Sequence, residues 1–126
     1  MKRILLIEDD EAMRKVIRRG LERGGYAVME AENGAVGRKM FSTDPCDLVV
    51  TDIIMPEVEG IELIQGFRRV YPGLPVIAIS GGGRVSPQNY LEMAKLIGAS
   101  ATLAKPFEMQ ELLSAAAELL GEERKA

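Results

Sequence analysis

The sequence predicts an α/β fold with a five-stranded parallel sheet covered by helices on both faces. Three observations carry the prediction. Short apolar runs alternate five times with stretches of helical spacing, the pattern of successive strand–helix units joined by right-handed crossovers. Several runs are continuously apolar rather than alternating, as in strands buried on both faces. The chain has 126 residues, 47% hydrophobic and 28% charged, enough to bury roughly two thirds of its unfolded surface in one core.

Ile4-Leu5-Leu6-Ile7 is the first such run. Met13, Val16, Ile17 and Leu21 then share one helix face, which Gly24-Gly25 ends. Tyr26 to Ala31 is a modest second strand; after the Asn33-Gly34 turn, Val36, Met40 and Phe41 indicate a short helix. Leu48-Val49-Val50 is the third strand, and Ile61, Ile64, Phe67 and Tyr71 form a helix face stopped by Pro72-Gly73. Val76 to Ile79 is the fourth strand, followed by the loop Gly81-Gly82-Gly83. Ser86-Pro87 has the form of an N-cap with proline at the first helical position, opening a helix through Tyr90, Met93, Ala94 and Ile97. Ala101 to Ala104 is a weak fifth strand, and Met109, Leu112, Leu113, Ala116 and Leu120 make the last amphipathic helix. The expected organisation is one domain over residues 1–121 and a polar tail over 122–126.

Composition excludes several function classes. With no histidine, Ser-His-Asp and Cys-His catalysis, HExxH metal sites and a phosphohistidine carrier are ruled out. Cys46 is the single cysteine, so an internal disulfide or a multi-cysteine zinc site is excluded. A net charge of −3 argues against nucleic-acid binding by this domain. The apolar run that ends at Glu8 is too short for a signal peptide or membrane span. The expected location is cytoplasmic, with no membrane partner.

In open α/β sheets, ligands bind beyond the carboxyl ends of the strands. Strand one ends in Glu8-Asp9-Asp10, strand three in Thr51-Asp52, strand four in Ser80, and strand five in Lys105-Pro106. Strand two offers Glu30 and Glu32 with no evident part to play. Carboxylates from neighbouring strands repel by about 4 kcal/mol per pair at about 4 Å and an effective dielectric near 20. A hard divalent cation relieves that repulsion, and Mg²⁺ suits one or two carboxylates plus a phosphate. Lys105 offers a point charge to a phosphoryl oxygen, Ser80 a hydrogen bond, and a carboxylate here can act as a nucleophile that forms an acyl phosphate.

Simpler readings exist for each residue. Asp52 also fits a loop or cap aspartate and the acidic triplet a cap for helix one, while Ser80 means little on its own; Met55-Pro56 and Gly60 after Asp52 favour the phosphoacceptor. Asp10 or Glu11 is the better cap, which leaves Glu8 and Asp9 for metal. Lys105 sits just before a helix, a poor place for a cation unless it serves another purpose. The three glycines lack phosphate-loop spacing and read as a mobile loop. The seven methionines read as core or helix-face filler, and Cys46 as inert.

The acidic pair in Ile-Glu-Asp-Asp, the segment Asp52-Ile-Ile-Met-Pro56 with Gly60 beyond, Ile-Ser80-Gly81 and Lys105-Pro106-Phe107 resemble the receiver domain of two-component response regulators, stand-alone chemotaxis type, over nearly the whole chain. The resemblance implies a flavodoxin-like strand order, 2-1-3-4-5. It implies Asp52 as phosphoacceptor, with Mg²⁺ on Asp9, Asp52 and the backbone carbonyl of Ile54, and Glu8 acting through a bound water. It further implies Ser80 as the switch hydroxyl, Lys105 on a phosphoryl oxygen, a cis Lys105–Pro106 bond, and a phosphohistidine donor on a sensor histidine kinase or a histidine phosphotransfer protein. The output would be a changed surface for a downstream protein.

The sequence departs from the family pattern at Thr102, where many receivers carry a switch aromatic. Any switching there uses a smaller movement. The loop after Ser80 is longer than in the shortest receivers and carries Arg84, a candidate contact for a partner or anion. Ile54 and Gly82 stand where relatives orient a hydrolytic water; neither can do so, which implies slow loss of the phosphoryl group. Three other readings stay open: a pseudo-receiver that binds partners without phosphorylation, a phosphatase or phosphotransferase with an aspartyl nucleophile, and a flavodoxin-like or nucleotide-binding module, against which Glu8-Asp9-Asp10 stands where a phosphate loop would follow strand one. The second prefers an aspartate at position 54, where Ile54 stands.

Overall fold

The computed structural model describes residues 1–52, 59–80 and 98–121, with backbone alone at 59–61 and 80. Five strands, β1 (Arg3–Ile7), β2 (Ala27–Ala31), β3 (Leu48–Asp52), β4 (Val76–Ser80) and β5 (Ala101–Ala104), form one parallel sheet in the order β2-β1-β3-β4-β5. The described helices are α1 (Glu11–Arg23), α2 (Gly34–Thr43), α3 (Glu59–Val70) and α4 (Met109–Leu119). This is the flavodoxin-like order expected from the resemblance. The helix expected from Ser86, the triglycine loop with Arg84, and the polar tail 122–126 lie outside the described residues.

The period-2 pleat divides the strand residues between two cores. Ile4, Leu6, Leu48, Val50, Ile77 and Ile79 pack with Ile17 and Leu21 of α1 and Leu112, Leu113 and Ala116 of α4. Leu5, Ile7, Val49, Val76 and Ala78 pack with Phe41 of α2 and Leu63, Ile64 and Phe67 of α3. Both faces of β1, β3 and β4 are therefore buried, which is why those runs read as continuously apolar. Each fully buried Ile, Leu or Val contributes about 1.5–3 kcal/mol. Phe41 meets Phe67 edge-on at 5.4 Å and Tyr71 at 4.6 Å, joining α2 to α3.

Local signals hold at the helix ends. Asp10 caps α1, its side chain accepting from the Met13 amide at 3.1 Å, and Asn33 caps α2 through the Val36 amide at 2.8 Å. The second strand starts at Ala27, one residue later than the sequence suggests; Tyr26 is buried just before it. Gly37 lets α2 approach β1, since a Cβ there would stand 2.5 Å from Ile7 Cδ1. Cys46 is half-buried, and burial pushes its thiol pKa up, in keeping with an inert residue.

Candidate functional site

The β1–β3 register aligns Ile7 with Thr51. The next residue of each strand is therefore Glu8 beside Asp52, at the carboxyl end of the sheet. Both are buried, 1% and 6% exposed. Asp9 follows in the turn to α1 and is exposed. One carboxylate oxygen from each of the three lies within 4.8 Å of the others.

Lys105 comes directly after β5 and approaches from the other side of β4. Its Nζ donates to Asp52 Oδ2 at 2.8 Å and to Glu8 Oε1 at 3.1 Å. The Lys105–Pro106 bond is cis, as expected. The structure thus brings Glu8, Asp9, Asp52 and Lys105 into one place. The backbone of Ser80 ends β4 and pairs with Ala104, adjacent to Lys105. Its hydroxyl, and the Ile54 carbonyl, lie outside the described parts. Thr102 pairs with Ala78 and is half-buried on β5; its neighbours Ala101 and Leu103 pack on the α1–α4 side, so Thr102 belongs to the opposite face.

The charges are strongly interdependent. Burial pushes the Glu8 carboxyl up to about 7; the Asp52 carboxylate acts in the same direction and Lys105 opposes both. Burial works against the Lys105 ammonium, but Asp52 and Glu8 outweigh it and hold its pKa above the usual lysine value.

The donor set suits a hard cation. Glu8 Oε2 is buried and has no hydrogen-bond partner among the described residues, a costly state for a carboxylate oxygen. Three carboxylates supply only oxygen ligands, which is what Mg²⁺ takes. Glu8, Asp9 and Asp52 therefore fit a Mg²⁺ ion.

Sequence reasoning missed one part of this region. Glu30 Oε1 pairs with Arg14 Nε at 3.3 Å, and Glu30 Oε2 with Arg18 Nη1 at 2.6 Å. Arg14 Nη1 also donates to the backbone carbonyl of Glu8 at 2.9 Å. The i, i+4 spacing of the two arginines on α1 was a visible signal, but their target depends on the β1–β2 pairing.

The model of the response regulator receiver domain family matches residues 4–117. The chain is 36% identical over 114 residues to the response regulator receiver protein CpdR of Brucella abortus, covering 90% of this chain and 92% of that protein. It is 35% identical over 113 residues to the response regulator MprA of Mycolicibacterium vanbaalenii, covering 89% of this chain and 47% of that protein, so it spans about half of that longer relative. Among solved structures, a response regulator receiver domain protein from Clostridium thermocellum superposes with a TM-score of 0.88 at 27% identity, covering 96% of this chain and 95% of that one. A CheY-like receiver domain protein from Methanospirillum hungatei gives 0.85 at 29% identity, with 96% and 94% covered. Among the described residues no helix is long and apolar enough to cross a membrane. With its fold, acidic cluster and sequence all in agreement, the chain belongs to the response regulator receiver domain family, a signalling switch module rather than a turnover enzyme.

Proposed function

We propose that the chain accepts a phosphoryl group on Asp52, in a Mg²⁺-dependent reaction, from a phosphohistidine on a sensor histidine kinase or histidine phosphotransfer protein. The observation that carries this reading is the Lys105 ammonium bridging two buried carboxylates, 2.8 Å from Asp52 and 3.1 Å from Glu8, beside a third, exposed one. An Asp52 oxygen attacks phosphorus in line. The O–P bond forms as the P–N bond breaks, and the electron pair stays on the departing imidazole nitrogen. Mg²⁺, held by Glu8, Asp9 and Asp52 with the Ile54 carbonyl, would neutralise charge on the phosphoryl oxygens.

Lys105 holds Asp52 in place before transfer and moves its charge to a phosphoryl oxygen afterwards. The modification adds roughly −1.5 to −2 charges to an already acidic pocket. Lys105 cannot then keep its present pairing unchanged. Ser80, at the end of β4, donates its hydroxyl to the phosphoryl group, and Thr102 on the neighbouring strand transmits the shift to a surface read by a downstream protein.

The test is intact mass after incubation with phosphoramidate, with and without Mg²⁺, for the native chain and Asp52→Asn. One Mg²⁺-dependent adduct, lost in the variant, is the expected result. A folded native chain that gains none from phosphoramidate or from phosphohistidine donors overturns the reading in favour of a partner-binding pseudo-receiver.

A further inference from the structure

We propose that Arg14, gripped by Glu30, is a positioning residue for the Glu8–Asp9 pair and sets the site's affinity for Mg²⁺. The inference rests on the metal-dependent reading above and adds to it residues from the edge strand and the first helix.

The carbonyl that Arg14 Nη1 reaches at 2.9 Å belongs to the peptide joining Glu8 to Asp9. The same turn is held at two other points. The Glu8 amide donates to the Ala31 carbonyl at the end of β2 at 3.1 Å, and Asp10 is fixed by its cap bond to Met13 at 3.1 Å. Arg14 therefore governs the one peptide whose rotation would swing both acidic side chains. A bound carboxylate prevents the guanidinium from drifting away: Glu30, next to Ala31 on β2, holds Nε at 3.3 Å. The side chains of Arg14 and Glu30 are 15% and 25% exposed, so solvent screens the pair only partly. Arg18 grips the other Glu30 oxygen at 2.6 Å and ties it to α1. The Arg14 side chain runs back toward the start of its helix, the direction a helical Cα–Cβ bond favours. A guanidinium is needed because one planar fork must serve a carbonyl and a carboxylate at once; an ammonium can supply the charge but not that geometry. Outer partners of this kind commonly change metal affinity by 10–100-fold when removed.

The test compares the native chain with Arg14→Gln, Arg14→Lys and Glu30→Gln, using Mg²⁺ titration by calorimetry and amide exchange of the metal-free protein. Arg14→Gln is expected to weaken Mg²⁺ binding about tenfold and to speed exchange at the Asp9 amide. Arg14→Lys should recover little of the affinity, and Glu30→Gln should show a smaller loss in the same direction. Lys15→Ala, which removes only the exposed 3.3 Å pair with Glu11 on the same helix, should match the native chain. Phosphoryl uptake at saturating Mg²⁺ should remain near native in Arg14→Gln, separating positioning of the ligands from the chemistry on Asp52. Native affinity in both Arg14→Gln and Glu30→Gln would overturn the inference while leaving the proposed function intact. A native chain that binds no Mg²⁺ would overturn both. Should Arg14→Gln fail to fold, Glu30→Gln alone decides.

Discussion

The Glu8 carboxyl is held well above the usual carboxylate range. Burial raises its pKa from 4.5 to about 7. Between those values the folded, metal-free protein keeps a proton that the unfolded chain has released. Stability must therefore fall as pH rises through that window, by at most roughly 1.4 kcal/mol per pH unit. Glu8→Gln should remove this slope and be more stable than the native metal-free protein at pH 8; urea midpoints at pH 5 and 8 measure it. Mg²⁺ competes with the same proton, so its affinity for the native chain should rise with pH toward about 8 and be largely lost in Glu8→Gln. Lys105→Met leaves two buried carboxylates facing each other. Lys105 is 22% exposed at its side chain, so the expected loss at pH 8 is roughly 2 kcal/mol, below that of a fully buried pair. Mg²⁺ should recover more of that loss than it adds to the native chain, as read by denaturation with and without the ion. The acidic pair, Asp52 and Lys105 were legible in the sequence because each lies at the carboxyl end of a strand or within two residues of it. The Arg14–Glu30 grip was not, because it depends on which strand lies beside β1.

At the scale of elements, close approach rather than helix preference decides what the glycines do. Gly37→Ala should improve intrinsic helicity by about 1 kcal/mol. The new Cβ would nevertheless stand 2.5 and 2.8 Å from the Cδ1 and Cγ1 atoms of Ile7, a fully buried strand residue. A net loss of about 2 kcal/mol is expected. Gly20→Ala meets the flexible side chain of Met109 instead, and should stay within about 1 kcal/mol of native. Thermal unfolding of the two variants side by side checks the contrast. The strands were legible to different degrees for the same reason of neighbours. β1, β3 and β4 are covered on both faces and announce themselves as apolar runs, whereas β2 and β5 are edges. In β2 only Ala31 is fully buried, so the sequence places its start one residue early, at Tyr26, which is buried just before the strand.

At the scale of the molecule, the sheet order turns separate strand ends into one acidic pocket. β1 and β3 are neighbours, so Glu8 and Asp52 meet; β4 and β5 complete the row and bring Lys105 onto both. Phosphorylation of Asp52 would act on that whole row at once, because it changes the charge that Lys105 balances. Once formed, the acyl phosphate should persist for minutes or longer in the isolated domain, since neither Ile54 nor Gly82 has a side chain that can hydrogen-bond a water. Mass spectra taken over time after donor removal would measure that lifetime, and loss within seconds would contradict it.

The position of the phosphoryl group can be read directly. Borohydride reduction converts an aspartyl phosphate to homoserine, and peptide mass mapping of the phosphoramidate-treated, reduced protein locates it. Homoserine at position 52 alone, formed only when Mg²⁺ was present, is the predicted result. Homoserine at Asp9 or elsewhere, or none from a chain that had gained the phosphoryl mass, would contradict the account.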